Sequence, residues 1–119
     1  MQLLNGLFGL EGKVALVTGG YGGIGESVCR GLASVGARVA VAGHNGDKAL
    51  ALADDMGGGA YAAVFDAASV EQIRAMVDDV AAHYGRLDIL VNCVGLNREE
   101  SALDMTEETF DFVYTANLK

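Results

Sequence analysis

The chain of 119 residues contains no proline, only two cysteines and half as many basic as acidic residues. With no proline-rich linker or repeat to mark a boundary, its length predicts a single domain over residues 1–119. Cys29 and Cys93 form neither a Cys-x-x-Cys pair nor a Cys/His cluster, so no metal site is predicted. We expect both to be buried thiols in a protein of the reducing cytoplasm.

Basic patches and long apolar runs are also missing. The net charge of -8 argues against nucleic acid and anionic membranes as partners, because both attract clusters of Lys and Arg. No apolar run approaches the roughly 18 to 20 residues of a membrane-spanning helix. Residues 1–10 are apolar but lack the basic start and cleavage site of a signal peptide. Since 51% of the residues are hydrophobic, we expect a soluble protein with a packed core.

One stretch of the sequence organises the rest: an apolar run that breaks into glycines and then continues as an amphipathic helix. Residues 14–17 are all aliphatic, which is typical of a parallel strand buried on both faces. After the glycines, apolar residues recur at helical spacing, namely Ile24, Val28, Leu32 and Val35. The stretch therefore reads as strand, glycine turn and helix, the context that a dinucleotide-binding fingerprint requires.

The remaining residues alternate strands with helices. Further strands are predicted at 38–42, 61–65 and 89–91. The intervening helices have candidate caps at Asn45, at Ser69 with Gln72 as a capping box, and at Asp104 or Thr106. The third helix should bury Val70, Ile73, Val77, Val80, Ala81 and Tyr84. This alternation predicts an α/β fold with a doubly wound parallel sheet in the order 3-2-1-4.

The glycine turn is suited to binding a diphosphate. A diphosphate reaches the backbone N–H groups of a helix N-terminus only where no side chain blocks the approach, and glycine leaves that space open. We therefore expect Gly19, Gly23 and Gly25 near a pyrophosphate, in a crevice at the carboxyl ends of strands 1 and 4.

The spacing Thr-Gly-x-x-x-Gly-x-Gly resembles the cofactor-binding signature of the short-chain dehydrogenase/reductase family. The resemblance makes cofactor-binding candidates of Thr18, Gly19, Tyr21, Gly23, Ile24 and Gly25. It implies NAD or NADP as cofactor and hydride transfer between the nicotinamide and a small carbonyl or alcohol substrate. The pattern Phe8-x-Leu10-x-Gly12-Lys13 looks most like the gluconate dehydrogenase and 3-oxoacyl reductase branches.

Two further segments resemble family motifs at the ends of strands 3 and 4. Asp66, in Phe65-Asp66-Ala67, matches an aspartate that contacts the adenine ring. Asn92-Cys93-Val94-Gly95 is similar to the Asn-Asn-Ala-Gly motif, which steadies the sheet beside the cofactor ribose. The resemblance thus adds Asp66, Asn92 and Gly95 as cofactor-binding candidates, whereas Cys93 cannot form the hydrogen bonds of the second asparagine.

Asn117 is the one catalytic candidate. It shares a helix face with apolar residues such as Phe110 and Leu118, so we expect a buried amide that needs hydrogen-bond partners. In the family, the matching asparagine holds a water that links to the catalytic lysine. Tyr114 is not the catalytic tyrosine, because no lysine follows it four residues on.

The end of strand 2 bears on the choice between NAD and NADP. An acid there would bind the ribose 2′-hydroxyl of NAD and repel a 2′-phosphate. Residues 42–45 contain no acid, and His44 stands where NADP-dependent relatives often carry a base. Tyr21 replaces the Arg or Lys that such enzymes frequently place in the glycine turn. We expect NADP rather than NAD.

The family's catalytic Ser, Tyr and Lys should follow Asn117 by a few tens of residues, whereas the sequence ends at Lys119. We therefore expect the 119 residues alone to be inactive and to be part of a longer oxidoreductase. The alternative is a non-catalytic module that binds a dinucleotide or a partner protein. Strand 4 would have an unpaired apolar edge, and part of the last helix would also be exposed, so we expect the isolated chain to self-associate or to be unstable.

Overall fold

The computed structural model describes residues 2–96 and 98–118, where helices and strands alternate. In chain order they are α1 Gln2–Phe8, β1 Val14–Thr18, α2 Gly23–Ser34, β2 Arg38–Gly43, α3 Gly46–Met56, β3 Tyr61–Val64, α4 Val70–Tyr84, β4 Ile89–Asn92 and α5 Glu107–Asn117. Each strand after β1 is reached through a helix, the kind of connection that joins parallel strands.

The four strands form one parallel sheet in the order β3-β2-β1-β4. This confirms the doubly wound order predicted from the sequence. The registers place Thr18, the last residue of β1, opposite Ala42 of β2 and Asn92 of β4. The carboxyl ends of these three strands therefore meet at one edge of the sheet, where open α/β sheets bind their ligands.

Helices cover both faces of the sheet. Successive strand residues point to opposite faces, so Leu16 and Val17 belong to two different core clusters. The cluster under α2 and α3 consists of Val17, Cys29, Ala37, Val39, Val41, Ala49 and Leu52. The cluster under α4 consists of Leu16, Ala40, Ala42, Ala63, Phe65, Met76 and Val80. Burial on both faces explains the continuous apolar run in β1.

Three of the helices begin at a side-chain cap that accepts a hydrogen bond from a backbone N–H of the first turn. The caps are Asn45 of α3, Ser69 of α4 and Thr106 of α5. The caps predicted at Asn45 and Ser69 are confirmed, and Thr106 rather than Asp104 opens α5. The capping box is only half formed, because Gln72 Oε1 accepts from the backbone N–H of Asp66 at 2.9 Å instead of from Ser69.

The sequence-based prediction is wrong at three places in the packing. Helix α1 was not anticipated, since residues 1–10 gave no clear periodicity. In α4 the predicted stripe is buried or partly buried from Ile73 to Tyr84, but Val70 is 61% exposed and Met76 is buried in addition. The expected burial of Cys93 is also wrong, because its thiol is only partly buried.

Strand β4 is an outer strand of the sheet in the part of the chain that the structure describes, as predicted. Its residue Leu90 is 58% exposed, and Phe110 of α5 is exposed to a similar extent. Over residues 2–96 and 98–118, no helix is long and apolar enough to cross a membrane.

Candidate functional site

A cavity of about 950 Å³ opens at the edge where the strands end. Four segments that follow strands form most of its wall: the glycine turn after β1, Gly43 and His44 at the end of β2, Phe65 to Ala68 after β3, and Cys93 to Leu96 after β4. Residues of α5 complete the wall. The volume lies in the range typical of small-molecule sites.

The glycine turn is held against the ends of β2 and β4. Gly19 adopts φ +69°, in the left-handed region that favours glycine. Its N–H donates to the Ala42 carbonyl at 2.7 Å. A Cβ on Gly19 would lie 2.6 Å from the Cys93 carbonyl oxygen, so both conformation and packing require glycine here.

Gly25 and Gly23 lack side chains in quite different surroundings. Gly25 is buried, and a Cβ there would collide with the Gly19 carbonyl, so the packing of the turn itself accounts for glycine. At Gly23 a Cβ would meet no protein atom within 4 Å. Packing therefore does not require glycine at position 23, the first residue of α2.

The N-terminus of α2 differs from those of α3, α4 and α5. Its N-cap is Gly22, and no side chain among the described residues caps it. The first backbone N–H groups of a helix have no partner within the helix and carry the positive end of its dipole. Gly22 lines the cavity, so the uncapped end of α2 borders it and can bind an anion.

Tyr21 and His44 face each other across the end of β2, and both line the cavity. The Tyr21 hydroxyl lies 3.2 Å from His44 Nδ1 and accepts a hydrogen bond of 3.0 Å from the Asn45 N–H. Gly43 makes room for the phenol, since a Cβ at this residue would collide with the Tyr21 ring. The glycine turn and the end of β2 are thus joined through one side chain.

Asp66 lies just beyond β3, on the cavity wall and exposed. Its Oδ1 accepts from the Ala68 N–H at 2.9 Å, which fixes the carboxylate as part of a turn. Its Oδ2 accepts no hydrogen bond from residues 2–96 or 98–118, so it is free to accept one from a ligand.

Thr18 and Asn92 lie behind this wall, where the Thr18 hydroxyl donates to Asn92 Oδ1 at 3.0 Å. With Asn117 they line a smaller cavity of about 290 Å³ on the α4 side of the sheet. Cys29 lies beneath the turn, and its thiol donates to the Gly20 carbonyl at 3.6 Å. Burial raises the pKa of the Cys29 thiol to about 11, so this cysteine is not a reactive thiolate.

Asn117 is exposed, which corrects the expectation of a buried amide. Its partners come from the loop after β4: Oδ1 accepts from the Leu96 N–H at 2.8 Å, and Nδ2 donates to the Leu96 carbonyl at 2.7 Å. Nδ2 also donates to the Val113 carbonyl at 3.0 Å. The amide of Asn117 is therefore satisfied by backbone groups of the loop after β4 and of α5, and it does not lie in the core. A Cβ on Gly95 would lie 3.0 Å from Asn117 Oδ1, so the loop and the amide fit closely.

The structure brings most of the predicted residues to one edge of the sheet but separates a few. Ile24 is at the start of α2 with its side chain 79% exposed, outside the wall of the larger cavity. Three acidic residues of α5 line that cavity and were not predicted as site residues: Glu107, Glu108 and Asp111. Glu107 and Glu108 lie in the first turn of α5, where the helix dipole favours acidic side chains. No group of three or more His, Cys, Asp or Glu in the described ranges is placed to hold a metal ion.

Comparisons with known proteins agree with this geometry. A family model described as short chain dehydrogenase matches residues 13–119. D-threitol dehydrogenase from Mycolicibacterium smegmatis is 41% identical over 114 residues, which are 93% of this chain and 44% of that enzyme.

Solved structures show the same similarity. A dehydrogenase/reductase from Sinorhizobium meliloti superposes with a TM-score of 0.91 at 34% identity, covering 98% of this chain and 48% of that protein. A 3-ketoacyl-(acyl-carrier-protein) reductase from Brucella melitensis, complexed with NADH, has a TM-score of 0.83 at 31% identity and covers 91% and 45%. The chain therefore spans less than half the length of each of these relatives.

Proposed function

Since this chain belongs to the short-chain dehydrogenase family, we propose that it forms the dinucleotide-binding part of an NAD(P)-dependent oxidoreductase. The reaction is hydride transfer at a carbonyl or alcohol carbon of a small-molecule substrate. The nicotinamide supplies or accepts the hydride, while the residues of this chain bind and orient it. We propose the cytoplasm as the compartment, because Cys29 and Cys93 are both free thiols.

The observation that carries the proposal is the uncapped N-terminus of α2 beside the larger cavity. The N–H groups of its first turn can donate to a diphosphate, and the helix dipole favours the negative charge. Gly23 supports this assignment, because its missing side chain leaves space that no protein atom fills. Gly19 and Gly25 support it indirectly, since they let the turn fold tightly enough to expose these groups.

Asp66 is proposed to recognise the adenine. Its Oδ1 is held by the Ala68 N–H, which leaves Oδ2 as an acceptor on the cavity wall. The exocyclic amino group of adenine is a donor of matching polarity. Thr18, Asn92 and Gly95 hold the adjoining ends of β1 and β4, beside the ribose of the nicotinamide.

NADP is proposed as the preferred cofactor. The end of β2 presents Gly43, His44 and Asn45, and no carboxylate stands there to repel a 2′-phosphate. His44 lines the cavity at this point and can donate a hydrogen bond to the phosphate. The Tyr21 hydroxyl already contacts His44 and therefore belongs to the same subsite.

Asn117 is proposed to hold a water in the proton path of the complete enzyme. Both N–H groups of its amide are used by the carbonyls of Leu96 and Val113. Its Oδ1 accepts one hydrogen bond and has capacity for a second. A water donating to Oδ1 would be held in a fixed place.

The diphosphate assignment is tested with two glycine-to-alanine variants of the same helix. Gly23→Ala should keep the fold, because the new Cβ meets no protein atom within 4 Å, but should weaken NADPH binding by about tenfold or more. Gly31→Ala is the matched control, since Gly31 also lies in α2 with open space around its Cα. Both would be measured by titration calorimetry in the full-length protein.

Equal affinity for NADPH in the two variants would contradict the assignment of the diphosphate to α2. Failure of the unmodified protein to bind either NADPH or NADH would contradict the function as a whole. Tight binding with no turnover of carbonyl substrates by the full-length protein would instead support the non-catalytic module.

A further inference from the structure

Arg98 is an exposed arginine in the loop between β4 and α5. Its guanidinium carbon lies 4.2 Å from the centroid of the Phe112 ring, a cation–π contact between the loop and the helix. Phe112 in turn lines the larger cavity. The contact therefore holds a positive charge beside the α5 wall of that cavity.

The protein itself does not use the N–H groups of this guanidinium. Arg30 and Arg86 make the ion pairs of the described residues, and Arg98 takes part in none of them. It also donates no hydrogen bond to residues 2–96 or 98–118. Because an aromatic ring contacts only a face of the planar group, the donors around its edge remain available to a ligand. Their fork matches the two oxygens of a carboxylate.

The cavity beside Arg98 has an acidic wall. Carboxylates of Asp66, Glu107, Glu108 and Asp111 line it, and its described lining residues include no Lys or Arg. Like charges repel, so this wall disfavours an anionic ligand unless a cation binds the anion directly. On the α5 side of the cavity, the guanidinium of Arg98 is placed to do so.

Arg98 lies close to the end of the cavity where we propose that the proton path begins. It follows Leu96 by two residues, which span at most about 7 Å. Both backbone groups of Leu96 are hydrogen-bonded to the side chain of Asn117, the residue proposed to hold a water. A substrate that reacts beside Asn117 is therefore within reach of the long Arg98 side chain.

The anionic groups of the cofactor are assigned to other parts of the site. The diphosphate is proposed to lie at the start of α2, and a 2′-phosphate at the end of β2. Since β2 and β4 flank β1 on opposite sides, their ends lie about 10 Å apart. An anion bound by Arg98, in the loop after β4, therefore belongs to the substrate.

We propose that Arg98 binds a carboxylate of the substrate, and that the complete enzyme acts on small oxo acids or hydroxy acids in preference to neutral carbonyl compounds and alcohols. The inference rests on the proposed function and names the substrate class of the same site. Arg98 is then a substrate-binding residue, because two hydrogen bonds from its guanidinium fix the carboxylate and with it the carbon that exchanges hydride.

Substrate pairs that differ only in charge test this inference in the full-length protein. Short-chain oxo acids would each be compared with their methyl esters, using the reduced nicotinamide cofactor that the protein binds. We expect kcat/KM for the best acid to exceed that for its ester by about tenfold or more. Added salt should lower this ratio, because Arg98 is exposed and its attraction for the carboxylate is screened.

Two variants of Arg98 and one control locate the effect. Arg98→Met removes the charge and should raise KM for the acid by about tenfold, with kcat and the kinetics of the ester nearly unchanged. Arg98→Lys keeps the charge without the fork and should give an intermediate KM. Arg74→Met is the matched control and should change neither substrate, since Arg74 is an exposed arginine of α4 outside both cavities.

The possible failures are distinguishable from one another. Equal kcat/KM for acids and esters, or turnover of neutral carbonyl compounds alone, would overturn this inference and leave the proposed dinucleotide site intact. A preference for acids that survives Arg98→Met would also overturn it, as would an equal loss for acid and ester in that variant. Failure of the unmodified protein to bind NADPH or NADH would overturn the proposed function itself.

Discussion

The hydroxyl of Thr18 donates a hydrogen bond of 3.0 Å to the side-chain oxygen of Asn92. Thr18 ends β1 and Asn92 ends β4, and the two are paired in the sheet register. A second bond, from the Cys93 N–H to the Thr18 carbonyl at 2.8 Å, continues the pairing beyond the strand. The position of the loop that carries Gly95 and Leu96 along the cavity therefore depends on Thr18.

Thr18→Val should remove this hydrogen bond while keeping the shape of a buried side chain. We expect the free energy of unfolding to fall by about 1 kcal/mol, the usual net value of one such bond. Urea denaturation measures the change. Thr18→Ser retains the hydroxyl and should lose less, whereas an unchanged free energy of unfolding in Thr18→Val would contradict the contribution of this hydrogen bond.

Gly19→Ala should destabilise the fold more than alanine at Gly22 or Gly23, where a Cβ meets no close contact. The left-handed conformation costs an alanine about 1–2 kcal/mol, and the close approach to the Cys93 carbonyl adds to that cost. Gly31→Ala in α2 should instead be neutral or stabilising, because alanine favours helix. Thermal unfolding of the two variants compares them directly, and equal melting temperatures would contradict the described turn.

Asp88 should contribute stability that depends on pH. Two hydrogen bonds from Arg86 and one from the Val14 N–H lower the pKa of the Asp88 carboxyl to about 2. A carboxyl whose pKa is lowered by folding stabilises the protein above its unfolded pKa, and this stabilisation is lost as the pH falls through the folded value. The difference in unfolding free energy between the unmodified protein and Asp88→Asn should therefore be largest near neutral pH and shrink below about pH 4.

Denaturation by urea at several pH values checks this expectation. Asp78→Asn on α4 is a suitable control, because Asp78 accepts no hydrogen bond from the described residues, and it should have little effect at neutral pH. A constant difference between the unmodified protein and Asp88→Asn across the pH range would contradict the role of these three bonds.

The 119-residue polypeptide by itself should self-associate. Leu90 of the outer strand β4 and the stacked rings of Phe110 and Tyr114 on α5 are exposed apolar surface. An outer strand with unpaired backbone groups readily pairs with another chain. Sedimentation velocity should show species larger than a monomer, and Leu90→Lys should reduce them. A monomer at all concentrations would contradict this prediction.

The order of the sheet could be predicted because its signals are local. The aliphatic run at 14–17 and the alternation of short apolar runs with capped helices allow few topologies once crossovers are right-handed. The caps at Asn45 and Ser69 followed for the same reason, since each acts within three residues. The glycine turn was identifiable by its spacing and its place between strand and helix.

What the sequence could not provide are contacts between distant residues. The helical spacing of Asn117 suggested a core position, but its amide instead binds Leu96, twenty-one residues away. Packing against the sheet likewise leaves Val70 of α4 exposed and buries Met76, which the helical spacing alone did not indicate. Similarly, the contact between Tyr21 and His44 joins two turns that are 23 residues apart, and the local sequence of neither turn indicates it.

The central claim is that the uncapped start of α2 and the adjoining cavity bind a nicotinamide dinucleotide, and amide chemical-shift mapping during a titration with NADPH tests it most directly. We predict saturable shifts at residues 22–25, at His44 and at 66–68, with Tyr61 and His83 unaffected near the start of β3 and the end of α4. A titration that leaves the amides of 22–25 unmoved while other regions shift, or that moves none, would contradict the account.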